Sequence, residues 1–291
     1  MTNKDRSILQ NLCTMTEAQL RAFLIKLLKR NHYNPIVTAN YIIAEGDNPI
    51  CLIAHTDTVF KYRPEEFLYD QKRDVLWGVG GSGFDDRAGV FAIVKILQNS
   101  WHPSIIFTTD EEVGCLGSRH LIQDIPRCPF KDCRALIQLD RANAKDCVFY
   151  DCDNPEFEQY ISNFGFEFAS GTFTDISWIA PAWGIAAVNL SVGYIDEHTS
   201  CERIYLNWLE STIKKVNSIL KYSAEMPGFI YIEEKKPYHK YFDLFSDDDE
   251  YKVPSCAFCG RPFSKTLTKH IIQGEGYSYN ICKECKELYD L

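Results

Sequence analysis

His55-x-Asp57, Asp85-Asp86, Glu111-Glu112, Asp140 and His198 follow one another along the chain in an order that can build a two-metal hydrolytic site. A pair of divalent ions a few ångströms apart needs imidazole ligands, terminal carboxylates and one carboxylate shared between them, and these residues supply that inventory. His55 is suited to bind one metal while Asp57, two residues on, accepts its other ring N–H and fixes the tautomer. Glu111 and Glu112 are neighbours and cannot share a role; one binds metal while the other faces the water as general base. Asp140 and His198 complete the set. A lone Asp or His after a strand is ordinarily a cap or a turn residue. The ordered series is what carries the reading.

Most of these residues follow a short apolar run. Ile50-Cys51-Leu52-Ile53-Ala54 leads into His55, Ser104 to Thr109 into Asp110-Glu111-Glu112, and Ala135 to Leu139 into Asp140. Such runs read as buried parallel strands, and an open α/β sheet places its site just beyond their carboxyl ends. The surrounding pattern predicts helices over 16–30 (capped by Thr16), 87–98, from about Gly117, 154–163 and 204–222. Further strands are expected over 36–44, 147–150 and 185–190. Gly78-Val79-Gly80-Gly81-Ser82-Gly83 resembles a phosphate loop only superficially. No Gly-Lys-Ser/Thr follows, and Asp85-Asp86 stands where a phosphate would want positive charge. Tight backbone turning that aims Asp85 at a metal is the better use of these glycines.

The 291 residues suit one large α/β domain with a small appendage. A formal charge of −9 argues against a nucleic-acid surface. No apolar stretch is long enough for a bilayer, and the first residues do not lead into a signal sequence, so a cytoplasmic protein is expected. Of 12 cysteines, eight (Cys13, Cys51, Cys115, Cys128, Cys133, Cys147, Cys152, Cys201) are expected as reduced thiols, mostly near the core. The other four, Cys256, Cys259, Cys282 and Cys285, form two C-x-x-C pairs with the spacing of a structural zinc site. The domain reading is a catalytic domain over 1–224, a charged linker over 225–254 and a four-cysteine zinc finger over 255–291.

Several segments resemble known proteins. His55-Thr56-Asp57-Thr58-Val59, Gly83-Phe84-Asp85-Asp86-Arg87-Ala88-Gly89, Thr109-Asp110-Glu111-Glu112-Val113-Gly114 and Asn189 to Tyr194 followed by Glu197-His198-Thr199 are similar to motifs of the co-catalytic metallo-exopeptidases. That clan holds peptidase T, the bacterial secreted aminopeptidases and the carboxypeptidase-deacylase group. The resemblance spans roughly 16–222. It implies a three-layer αβα fold with a mixed, largely parallel central sheet. It further implies His55 and Asp140 on one metal, Glu112 and His198 on the other, Asp85 bridging, Asp57 behind His55, Glu111 as base, and a cis Asp85-Asp86 peptide. The metals are expected to be zinc, with cobalt or manganese also accepted by such a donor set. Many relatives carry a lid of about a hundred residues. Here only a short segment separates Asp140 from His198, which favours an aminopeptidase acting on small peptides. The alternatives are a deacylase or carboxypeptidase-type amidohydrolase acting on N-acyl amino acids, or a silent binding protein acting through the finger. Arg141 can meet a substrate carboxylate or pair with a nearby acid, and the second use is favoured. Thr174-Asp175 is a weaker candidate for the pocket lining, with Asp175 also readable as a helix cap. The C-terminal Cys256–Gly260, His270–Gly274 and Tyr279–Cys285 segments resemble the zinc-binding domain of the ClpX unfoldase. That resemblance implies oligomerisation or protein docking, with Ile271, Ile272 and Tyr279 as contact residues; a stabilising cap is the alternative.

Overall fold

The structure is a computed structural model that describes residues 1–234, the backbone of 269–274 and 277–282, and Lys283 and Lys286. Met1–Lys235 and Lys236–Leu291 form separate units. The larger unit opens with helices α1 (Asn3–Thr14) and α2 (Glu17–Arg30) and strands β1 (Ile36–Val37), β2 (Tyr41–Ala44) and β3 (Asn48–His55). Then come β4 (Phe67–Asp70), β5 (Val75–Gly78), α3 (Phe84–Leu97), β6 (Pro103–Thr108), α4 (Leu116–Asp124), β7 (Ala135–Arg141), β8 (Asp146–Val148), α5 (Pro155–Ser162) and β9 (Glu167–Phe168). It closes with α6 (Asp175–Trp183), β10 (Ala187–Ser191), β11 (Tyr194–Ile195), β12 (Arg203–Tyr205) and α7 (Leu206–Tyr222).

Eight strands form one mixed sheet in the order β1-β2-β6-β3-β7-β10-β8-β9, whose four central strands run parallel. The apolar runs are continuous because both faces are covered. Ile50, Leu52 and Ala54 pack into a core with α1, α2, α3, α5 and α7, while Cys51 and Ile53 face a second core with α4 and α6. Successive side chains of a strand point to opposite faces, so a strand sandwiched between helices has no polar side to show. The result is the expected three-layer αβα arrangement.

Helix α3 lies against β3 and β7, and at Gly89 the approach leaves no room for a side chain. A Cβ at Gly89 would stand 1.8 Å from the Leu139 carbonyl oxygen and 2.4 Å from Asp86 Oδ1. Gly89→Ala is therefore expected to cost about 3 kcal/mol or more, because neither the strand nor the buried carboxylate can yield. Chemical denaturation checks this; a variant as stable as the parent would show that the helix can retreat.

Local differences from the sequence reading have plain causes. Residues 36–44 are two strands rather than one, because Thr38 Oγ1 receives the Asn40 and Tyr41 amides and folds the chain into a hairpin. Residues 204 and 205, expected to open a helix, belong instead to β12, which pairs with β5 in a second, four-stranded sheet ordered β11-β12-β5-β4. Residues 225–234, placed by their sequence in a linker, lie on the domain: Met226 and Phe229 are buried and Ile230 bridges to Ile185. Cys13, Cys51, Cys115, Cys147 and Cys152 are buried, and these five together with Cys128, Cys133 and Cys201 are free thiols.

In the smaller unit, β13 (Lys269–Gly274) and β14 (Tyr277–Cys282) form an antiparallel hairpin that pairs Ile272 with Tyr279 and Ile271 with Asn280. Cys282 ends that hairpin, whereas Cys256, Cys259 and Cys285, with most of the charged segment before them, lie outside the described residues. No helix among the described residues is long and apolar enough to cross a membrane.

Candidate metal centre

Strand register brings the series to one level. His55 of β3 pairs with Thr108, the last residue of β6, so the loop carrying Glu111 and Glu112 starts beside it. On the other side Ile53 pairs with Gln138 of β7, which puts Asp140 level with His55. Asp85 arrives from the start of α3. Gly80, Gly81 and Gly83 there have positive φ, the Asp85-Asp86 peptide is cis, and both aspartates are non-helical. His198 follows β11 in a loop and is half exposed.

Asp85 stands between the two imidazoles. Its Oδ1 is 3.0 Å from His55 Nε2 and its Oδ2 is 3.1 Å from His198 Nε2. Asp140 Oδ1 lies 3.5 Å from His55 Nε2, and Glu112 Oε2 lies 2.9 Å from His198 Nε2. Ligands around a tetrahedral ion at zinc–nitrogen and zinc–oxygen bond lengths stand about 3.3 Å apart, so these separations are those of a coordination shell. Two groups, His55 with Asp85 and Glu112, and His55 with Asp86 and Asp140, have ligand atoms within 4.8 Å of one another. Asp86 is the poorer donor of these, because its oxygens already accept from the amides of His55 (3.1 Å) and Gly89 (2.9 Å). Glu112 Oε1, by contrast, is buried with no hydrogen-bond partner. A buried carboxylate oxygen without a donor is costly unless a cation meets it. The residues fit divalent ions.

The electrostatics agree. Burial opposes a charge on His55, yet Asp140, Asp57 and Asp85 raise its pKa well above the usual imidazole range. Hydrogen bonds to Asp85 and Glu112 push His198 up to about 11. Burial also works against a charged Asp85, but hydrogen bonds from both histidines hold its carboxyl below the ordinary carboxylate range. Protons on these rings do the work that a bound cation would take over.

Asp57 sits behind His55, with Oδ1 3.2 Å from Nδ1, and its carboxylate also accepts the Glu111 and Glu112 amides at 3.1 Å each. One side chain thus orients the imidazole and ties down the loop of both glutamates. Asp57→Asn replaces one acceptor with a donor facing these groups, and is expected to weaken metal binding about 10- to 100-fold. Competition with a chromophoric chelator measures it; unchanged affinity would remove Asp57 from this supporting role.

Glu111 Oε1 is within 3.1 Å of Thr174 Oγ1, whose hydroxyl also lies 3.1 Å from Asp140 Oδ2. Burial pushes the Glu111 carboxyl up to about 8; His55 opposes this, and Asp140, Asp175 and Asp85 add to it. Glu111, Glu112, Asp85, Asp140 and His198 line one open cavity of about 230 Å3 together with Arg141, Tyr150, Thr174 and Glu197. Arg141 donates from Nη2 to the Ser170 carbonyl at 3.2 Å, and its Nε is 4.0 Å from Asp146 Oδ2. Thr174 borders the cavity, but Asp175 is fully buried below it and bonded to Thr108.

Three supporting side chains were given no role by the sequence. Glu202, fully buried, accepts the amides of Ser82, Phe84 and Asp85. Asn189 accepts the Asp140 amide at 2.9 Å and donates to its carbonyl at 3.0 Å. Tyr194 Oη lies 3.2 Å from Asp140 Oδ1. Asn189 and Tyr194 flank the last histidine motif, a weak signal; Glu202 offers none.

The fold is shared with several solved peptidases. The aminopeptidase PepT of Bacillus cereus superposes with a TM-score of 0.62 at 14% identity, over 76% of this chain and 98% of that one. A tripeptidase of Staphylococcus aureus gives the same values. The TET1 peptidase of Pyrococcus horikoshii, which can assemble into a tetrahedron or a large octahedral shell, gives 0.53 at 15% identity, over 74% and 99%. No curated protein sequence matches the chain. Residues 37–177, which hold every member of the series except His198, match the sequence profile of Peptidase family M28.

Proposed function

We propose that the chain is a metal-dependent exopeptidase, an aminopeptidase that hydrolyses small peptides. The observation that carries this is Asp85 set between two imidazoles, one oxygen to each, with the Glu111 carboxylate in the same cavity. His55 and Asp140 would hold one divalent ion, Glu112 and His198 the other, and Asp85 both. The ions, zinc first and cobalt or manganese also suitable, would supply Lewis-acid polarisation of the scissile carbonyl and a water of lowered pKa. Glu111 takes the proton from the attacking water and delivers it to the leaving amine. Thr174 steadies Glu111 for both transfers, and Asp57 keeps His55 in the tautomer that leaves Nε2 free. Glu197 adds a carboxylate to the cavity wall, which suits a substrate with a free amino group. The segment between Asp140 and His198 is taken up by short elements of the domain itself, with no inserted lid domain between those two residues. At the C-terminus, Cys256, Cys259, Cys282 and Cys285 are proposed to hold one structural zinc in a docking or oligomerisation module.

Aminoacyl anilides, short peptides and N-acyl amino acids, offered to the metal-loaded protein, test this reading. Hydrolysis of the first two and not the third is expected. Preferential release of N-acyl groups would make the chain a deacylase. Silence on all three with the metals bound would leave a binding protein.

A further inference from the structure

A second cavity, of about 150 Å3, has Glu17, Asp57, Thr58, Arg63, Gly83 and Arg87 in its wall and shares no residue with the metal cavity. Its donors are incompletely used. Arg87 is 3% exposed, and its Nη1 donates to the Thr56 carbonyl at 2.7 Å, but its Nε is buried with no partner. Thr58 Oγ1 is likewise buried and unpartnered. Arg63 is exposed at the cavity and forms no ion pair among the described residues. The acceptors nearby are already engaged. Asp57 receives the Glu111 and Glu112 amides and faces His55 Nδ1, and Glu17 Oε1 lies 3.1 Å from the Thr56 hydroxyl. Asp86 receives the His55 and Gly89 amides. Burial opposes the charge on Arg87, while Cys13, Glu17, Asp57 and Asp86 around it favour that charge. Gly83 keeps the Thr58 hydroxyl uncovered, since a Cβ there would stand 3.1 Å from Oγ1. Gly81 and Gly78 fix the wall made by Phe60 and Pro64: a Cβ at each would meet the Phe60 ring at 2.1 Å and Pro64 Cβ at 2.6 Å.

We propose that this cavity is a binding site for a small monovalent anion, a halide or a short carboxylate, held by the Arg87 Nε–H and the Thr58 hydroxyl, with Arg63 adding positive charge. A buried guanidinium N–H without an acceptor is costly, and an anion supplies acceptors alone. Water would also bring hydrogens, for which the engaged carboxylates of the cavity leave fewer places. At about 30 Å3 for each water, the volume admits a small ion with a few waters beside it. The site is linked to the metal centre through one side chain, because the guanidinium that would hold the anion also holds the carbonyl of Thr56, between His55 and Asp57.

Sodium bromide and sodium formate, each titrated into the full chain at constant ionic strength against bulky gluconate, test this. At least one should raise the melting temperature by about 3 °C and then saturate, as a ligand bound only by the folded state does. Saturation by bromide alone makes the site a halide site, and saturation by formate extends it to carboxylates. Thr58→Val keeps the shape and removes the hydroxyl, and Arg87→Lys keeps a cation beside the Thr56 carbonyl and removes the Nε–H. Each should weaken the anion about tenfold or more, the effect of a lost hydrogen bond to a charged group. Crystals of the full chain grown in bromide should show anomalous density within hydrogen-bond distance of Arg87 Nε and Thr58 Oγ1. Water alone in the cavity, or both variants titrating like the parent, overturns the proposal. Should Arg87→Lys fail to fold, Thr58→Val and the bromide density decide between an anion and water.

Discussion

Glu111→Gln is expected to lower kcat about a thousandfold while leaving the metals in place, the size and signature of a lost general base. Its neighbour makes the contrast. Glu112 Oε2 stands 2.9 Å from His198 Nε2 and its other oxygen is buried without a partner, whereas Glu111 meets Thr174 and faces the cavity. An amide at 111 keeps an oxygen for the Thr174 hydroxyl and has nearly the shape of the carboxylate. Burial, with Asp140, Asp175 and Asp85 adding to it, already pushes the Glu111 carboxyl up to about 8, so a neutral amide there adds no strain. Thermal stability should be unchanged or slightly raised. Glu112→Gln should instead weaken metal binding. Metal analysis and kinetics on both variants separate the roles, and full activity in Glu111→Gln would refute the assignment. Loss of metal in that variant with little change in Glu112→Gln would exchange the two residues.

How far the sequence reaches depends on the range of the interaction. His55, Asp85, Glu111 and Asp140 could be placed because each follows a segment whose pattern is local: an apolar strand buried on both faces, or a glycine-rich turn. The roles of Glu111 and Glu112 were not separable from their positions alone, only by resemblance, since adjacent residues of one type carry one signal. The four-stranded sheet escaped because β11, β12, β5 and β4 are two to four residues long and come from distant parts of the chain. Helix α1 escaped for another reason. Asn3–Thr14 is mostly polar, and only Leu9, Leu12 and Cys13 of it are buried, too few to outline an apolar face. Asn189 gains meaning only where β10 lies beside β7 and brings its side chain to Asp140.

Glu202 is the clearest case of a role created by folding, and its removal is the second large effect to expect. It lies well over a hundred residues from Asp85 in sequence, yet its carboxylate receives the Asp85 amide at 3.1 Å through Oε1 and those of Ser82 (3.1 Å) and Phe84 (3.2 Å) through Oε2. Burial drives its pKa up and these amides pull it down, leaving it at about 7. Glu202→Ala strands three buried N–H donors, each costing about 1–3 kcal/mol on its own. Because one loop carries all three and can relax together, the expected total is about 3–5 kcal/mol. The functional consequence follows from position. The loop that loosens is the one that aims Asp85 between His55 and His198, so metal affinity should fall along with stability, the reverse of Glu111→Gln. Glu202→Gln is the sharper probe. Its single oxygen can keep one or two of the amides while its NH2 faces another donor, so it should fall between parent and Ala in both melting temperature and metal affinity. If instead Glu202→Ala melts at the parent temperature and binds metal as tightly, the Asp85 turn is held by its remaining hydrogen bonds, such as those of Ser82 Oγ with Gly78 and the Glu202 carbonyl. The buried carboxylate would then be a passenger.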